Sequence, residues 1–163
     1  MILGMTTFTF VHVVLSLVGI AAGFYVLFGM FRSKRMPNMT GLFLLTTIAT
    51  SATGFGFQRD HILPSHVVGV ISLVILAIAL LALYRHKLAG KWRATYVVTA
   101  VIALYLNVFV LVAQLFQKVV PLHALAPNGS EPPFAIAQGI VLVIFIIFGA
   151  MALKRFRPSR MFW

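Results

Sequence analysis

The chain has 163 residues, 61% of them hydrophobic and 9% charged, with 13 basic residues against 2 acidic ones and no cysteine. A mean hydropathy of +1.05 in so short a chain leaves no room for a water-soluble domain beside the apolar segments. The lack of cysteine excludes disulfides, thiolate metal centres and thiol–disulfide exchange. The formal charge of +11 does not point to nucleic acid, because the basic residues cluster at the ends of apolar runs, where they act as topology signals.

Backbone groups in lipid must be paired within their own segment, so each apolar run predicts a helix. The first run covers residues 6–31. It has no Lys or Arg ahead of it and RSKR behind it, so it reads as a crossing rather than a cleavable leader. RSKRMPN follows, with Pro37 as a breaker. The second run, residues 39–57, is rich in Thr, Ser and Gly. QRDHILP links it to the third, residues 65–84, with Ser65 as its expected N-cap. RHKLAGKWR separates that run from the fourth, residues 94–117. The longest link, KVVPLHALAPNGSEPP, precedes the fifth, residues 133–153. Pro132 and Pro133 suit its first turn, and Glu131 suits its positive dipole end. The expected fold is all-α: a single-domain integral membrane bundle of five transmembrane helices over residues 1–163.

Five crossings put the two termini on opposite sides. Arg32, Lys34 and Arg35 then share a face with Arg85, Lys87, Lys91 and Arg93, and with Lys154, Arg155, Arg157 and Arg160. The other face keeps only Arg59 and Lys118, together with both acids, Asp60 and Glu131. The positive-inside rule puts the N-terminus outside and the C-terminus in the cytoplasm.

Depth follows from helix rise. A hydrocarbon core of about 30 Å takes roughly 20 residues at ~1.5 Å each. Counted from the basic ends, His12, His66, Gln114 and Gln138 fall near one level, at the outer edge of the core. His61 and His123 lie just beyond it. His12, Ser16, Gly19 and Gly23 form one stripe at helical spacing. Thr46, Thr50 and Thr53 form another, and Asn107, Gln114 and Gln117 a third. Polar and small residues seldom face lipid, so these stripes are expected to turn inward around a polar, outward-open pocket.

The candidate site is therefore His12, His66, Ser16, Thr53, Asn107, Gln114 and Gln138. Histidines on two helices at one depth are the arrangement that ligates a b-type haem. With His61 or His123, the same pair forms a candidate Cu or Zn site. A quinone is a further candidate, since it needs two polar handles in an apolar slot. Against these stand plainer uses. Gly19 and Gly23 make a GxxxG packing pair, and Asn107 has Gln114 and Gln138 as expected hydrogen-bond partners. Arg59–Asp60 reads as a solvated turn. No nucleophile–base set, HExxH or phosphate loop is present.

SATGFGF, LPSHVVGVISL, ALYLNVFVLVAQLFQK and SEPPF resemble motifs of small multi-span inner-membrane proteins of bacteria, a group with no assigned activity. An early His followed by Gly also resembles small b-type membrane cytochromes. That resemblance implies haem ligation by His12 and His66. Size and span count are similar to the tryptophan-rich sensory family, although only 2 Trp are present. Two functions are expected from these readings. One is a haem- or metal-binding, quinone-linked electron-transfer protein of a bacterial inner membrane. The other is a non-catalytic accessory or assembly subunit of a larger membrane complex, or a homo-oligomer. The bilayer is the partner in both, and nucleic acid in neither.

Overall fold

The computed structural model describes residues 6–57 and 64–159. These form α1 (Thr7–Phe31), α2 (Pro37–Gly54), α3 (Pro64–Leu80), α4 (Lys91–Lys118), α5 (Val120–Leu125) and α6 (Pro132–Arg155). A π-helical turn, Leu81–Arg85, continues α3, and the described residues contain no strand. Four stretches are long and apolar enough to cross a membrane: Thr7–Phe31, His66–Arg85, Lys91–Lys118 and Pro132–Arg155. The protein is a multi-pass membrane helical bundle. The second helix, α2, is 18 residues long and carries five threonines and a serine, which keep it below that level of apolarity.

The helix ends have local causes. Thr6 caps α1 by accepting the Thr9 amide at 3.2 Å. At its other end the Lys34 amide reaches back to the Gly29 carbonyl at 2.9 Å while Ser33 takes φ 54°, a left-handed terminus usually given to glycine. Pro37 and Pro132 open α2 and α6, where a missing N–H costs nothing. The π-turn closes when the Leu88 amide bonds the Ala82 carbonyl at 3.0 Å, with Lys87 and Leu88 at φ 50° and 57°. Gly90, at φ 53°, then admits the sharp entry into α4.

Helices α1 and α2 form an antiparallel hairpin of constant register. Met36 meets Gly29, Phe43 meets Gly23, Thr46 and Thr47 meet Gly19, and Thr53 meets His12. A Cβ on Gly23 would lie 2.6 Å from Leu104 Cδ1 and 2.9 Å from Phe43 Cε2. The small residues therefore set how closely these backbones approach. Helix α4 is the central element, packing on α1, α3 and α6. It contributes Tyr96, Val97, Ala100, Ala103 and Leu104 to a core completed by Leu27, Phe43, Leu76, Ala79, Phe145 and Ala152. The apolar residues Ile136, Ile140, Val143 and Ile147 recur at helical spacing and stay exposed along α6.

Helix ends shift by a few residues, with Pro37 opening α2 rather than breaking the link before it and α4 starting at Lys91, and the elements differ from expectation in three further places. Helix α3 begins at Pro64, so Ser65 sits within its first turn rather than before it. The long link contains α5, which starts at extended Val119 with Pro121 in its first turn. Glu131 does occupy the N-cap position of α6, but its carboxylate turns back to accept the amides of Asn128 and Ser130, each at 3.0 Å.

Gly23→Val is expected to cost about 1–3 kcal/mol, since the added carbons must displace Leu104 and Phe43. Gly139→Ala, where a Cβ meets nothing within 4 Å, should be neutral or slightly stabilising. Thermal unfolding in a mild detergent reads both.

Candidate functional site

At one end of the bundle, His12 Nδ1 lies 2.9 Å from Thr53 Oγ1. The Thr53 hydroxyl also lies 2.7 Å from the Ala49 carbonyl, which can only accept. A hydroxyl has one proton to donate, and the carbonyl takes it. A hydroxyl that donates to that carbonyl accepts from His12, which corresponds to the tautomer with the ring hydrogen on Nδ1 and the lone pair on Nε2. The imidazole edge also packs on Phe57, with centroids 5.0 Å apart.

His66 meets the same turn of α2 from α3, with its ring stacked on Phe55 at 5.8 Å. Thr53 and Phe55 are two positions apart on helical backbone, which turns them about 200° from one another. The two histidines thus share an end of the bundle but approach α2 from opposite flanks. Helix α2 packs on both α1 and α3. Among the described residues no group of three or more His, Cys, Asp or Glu gathers as metal ligands. His61 lies outside the described residues, and His123 is exposed on α5.

The other polar candidates are engaged between helices. Asn107 Nδ2 donates to Thr47 Oγ1 at 3.1 Å, across α4 and α2, rather than to Gln114 or Gln138. Gln138 Nε2 donates to the Phe109 carbonyl at 3.0 Å, joining α6 to α4. Its Oε1 is buried without a hydrogen-bond partner among the described residues. Ser51 donates to Ser72 at 3.1 Å, tying α2 to α3. Ser16 and Gln114 are partly buried.

The opposite end holds what residue types alone did not reveal. A cavity of about 570 Å³ opens between the end of α1, the turn into α2, the π-turn and the segment after α6. Val26, Met30, Leu83, Leu88 and Phe156 give it apolar walls, and Tyr96 and Thr40, which share a hydrogen bond, line it too. A second cavity of about 230 Å³ adjoins it, lined by Arg35, Lys87, Arg93 and Arg157 with Leu88, Gly90 and Pro158. Burial pushes the Arg35 guanidinium below its usual value, against the opposing pull of Tyr96. Arg93 Nη1 donates to the Leu153 and Phe156 carbonyls, and the Arg157 amide donates to Ser33 Oγ at 2.8 Å. These bonds hold the segment after α6 across the cavity mouth. The sequence signal was the pairing of RSKR with RHKLAGKWR, clusters that a topology reading absorbs whole.

Two outcomes follow. In a double-mutant cycle of Ser51→Ala and Ser72→Ala, the coupling energy should be about 0.6 kcal/mol, as is usual between membrane helices. Hydrogen bonds from Asn128, led by its backbone N–H, hold the Glu131 carboxyl below the ordinary carboxylate range. The Asn128–Glu131 turn should therefore be firm above the unfolded carboxylate pKa and loosen as pH falls through the depressed one. Amide shifts of Asn128 and Ser130 should report that transition, and Glu131→Gln should abolish it.

No family model matches the chain, and no curated protein or solved structure is significantly similar to it.

Proposed function

We propose that the chain is an integral protein of a bacterial inner membrane with five crossings, N-terminus outside and C-terminus in the cytoplasm. It acts as a non-catalytic accessory or assembly subunit of a larger membrane complex. The observation that carries this reading is the use made of its polar side chains. Asn107, Ser51, Gln138 and His12 each bridge two helices, a use that fixes shape rather than assembling reactive groups. The exposed aliphatic stripe of Ile136, Ile140, Val143 and Ile147 on α6 supplies a face for lipid or for a partner helix.

The fifth crossing is supported by register. Helix α2 accompanies α1 from Gly29 to His12. That run is about 25 Å at ~1.5 Å per residue, close to the ~30 Å of hydrocarbon. Its low apolarity is tolerable because Thr40, Thr46, Thr47 and Ser51 are buried inside the bundle. The orientation is supported by the clustering of basic residues at one set of helix ends.

A second reading, one haem or metal ion with a quinone as exchange partner, is favoured by a single feature. With Nδ1 held by Thr53, the His12 Nε2 lone pair is the atom a ligated iron, copper or zinc uses.

Because the chain lacks cysteine, single-cysteine mapping is clean. Asn38→Cys and Ala89→Cys should both be shielded from a membrane-impermeant maleimide in intact spheroplasts, and Ser130→Cys should react. Labelling of Asn38→Cys and Ala89→Cys from opposite sides would remove α2 as a crossing. The visible spectrum of the purified protein separates the two functions. A colourless protein migrating with a partner of fixed stoichiometry supports the subunit reading. A Soret band abolished by His12→Ala replaces it with the haem reading.

A further inference from the structure

We propose that the basic end of the bundle holds one anionic phospholipid, one of its two acyl chains in the larger cavity and its phosphate in the smaller one. The two cavities share Arg35, Leu88 and Pro158 as walls, so a single molecule can occupy both. Their chemistry is divided as an amphiphile is divided. The larger is walled mainly by aliphatic and aromatic side chains, and its volume of about 570 Å³ suits a ligand of ordinary size. The smaller carries three arginines and a lysine, and among the described residues no carboxylate lines it. Glu131 belongs to the opposite end of α6, beyond its first residue. Guanidinium groups match phosphate oxygens in pairs, so a phosphate is the anion this lining fits best.

The backbone gives independent support. Ser33 lines the larger cavity, Lys87 the smaller and Leu88 both, and all three hold φ between 50° and 57°. Side chains other than glycine adopt that region at a cost of roughly 1–2 kcal/mol each, and such residues gather at binding sites. The π-turn Leu81–Arg85 supplies Leu83 and Tyr84 to the larger cavity, and π-turns inside helices recur at functional sites. A soluble phosphate would use the cations and leave the adjoining apolar walls uncovered. A lipid covers both, and it is supplied at the depth where these helices end.

The site lies at the end of the bundle away from His12, so it stands or falls separately from the subunit and haem readings. Native mass spectrometry of the full chain in a neutral detergent tests it, with phosphatidylglycerol and phosphatidylcholine as probes. One phosphatidylglycerol should be retained and phosphatidylcholine should not. Arg35→Gln with Arg157→Gln should weaken retention about thirtyfold, from the usual worth of a cation beside anionic lipid. Lys91→Gln with Lys154→Gln removes equal charge from the same end without lining either cavity, and should change nothing. Pro158→Trp fills the shared wall without touching a charge and should also abolish retention. It keeps the test decisive if the arginine pair fails to fold.

Several results would overturn the proposal. One is equal retention of the two lipids. Another is equal loss in both charge variants, which would reduce the effect to general surface attraction. Inorganic phosphate binding as tightly as phosphatidylglycerol would exclude the lipid. Retention appearing only after Phe162→Ser and Trp163→Ser would make the chain's own tail the occupant.

Discussion

The close approach of α1 and α2 at Gly19 and Gly23 is the constraint on which the rest of the bundle depends. With no side chain at Gly23, Phe43 from α2 and Leu104 from α4 both reach the α1 backbone. Three helices are thereby keyed at one point. The same approach sets Thr46 and Thr47 against Gly19 and leaves Thr47 in position to accept from Asn107. A wider crossing would break that bond and open a gap beside the α4 core. Packing and hydrogen bonding are one interaction here, because the register that brings the glycines to α2 also brings His12 to Thr53.

A helix as polar as α2 is stable in such a bundle because most of its hydroxyls are paired, although Thr50 Oγ1 is buried without a hydrogen-bond partner among the described residues. Thr46 and Thr53 return hydrogen bonds to carbonyls one turn back on their own helix, at 2.7 Å each. Thr47, Ser51 and Thr53 also meet α4, α3 and α1 in turn. A buried hydroxyl without a partner would cost ~1–3 kcal/mol, so the pairing decides whether the helix can lie among apolar neighbours. Hydropathy averaged along a helix does not contain this information. It counts threonine as polar wherever its hydroxyl is directed.

Much of the architecture was legible in the sequence, for identifiable reasons. Apolar run lengths, prolines at helix starts and basic clusters at helix ends each act within a few residues of the feature they mark. Pro132 accordingly opens α6, whereas Pro37, read as a breaker in the link, is itself the first residue of α2. Partners across helices were less legible. Asn107 had two glutamines at the right spacing, yet it bonds Thr47, because the rotation of α4 against α2 is set by Gly23 and Leu104 and not by any pattern within α4. Equal depth was legible for His12 and His66, but flank was not. Depth follows from counting residues, whereas flank depends on which helix comes between. The cavity at the basic end was hidden for the same reason. Its walls come from α1, α2, the π-turn, α4 and the segment after α6, each contributing residues that are unremarkable alone.

The two ends of the bundle solve opposite electrostatic problems. At the His12 end two interhelical pairs, His12 with Thr53 and Ser51 with Ser72, use most of the polar side chains, while Gln138 Oε1 is buried without a partner among the described residues. At the other end Arg35, Lys87, Arg93 and Arg157 converge on one small cavity that no carboxylate among the described residues lines, and nearby backbone is held in left-handed conformations. Like charges so gathered repel, and strained φ values add to that cost. Arg93 is engaged by the carbonyls that end α6, which satisfy hydrogen bonds but carry no net charge. Under the lipid proposal, headgroups at the membrane surface are the anions that a lining so rich in cations would meet where these helix ends emerge.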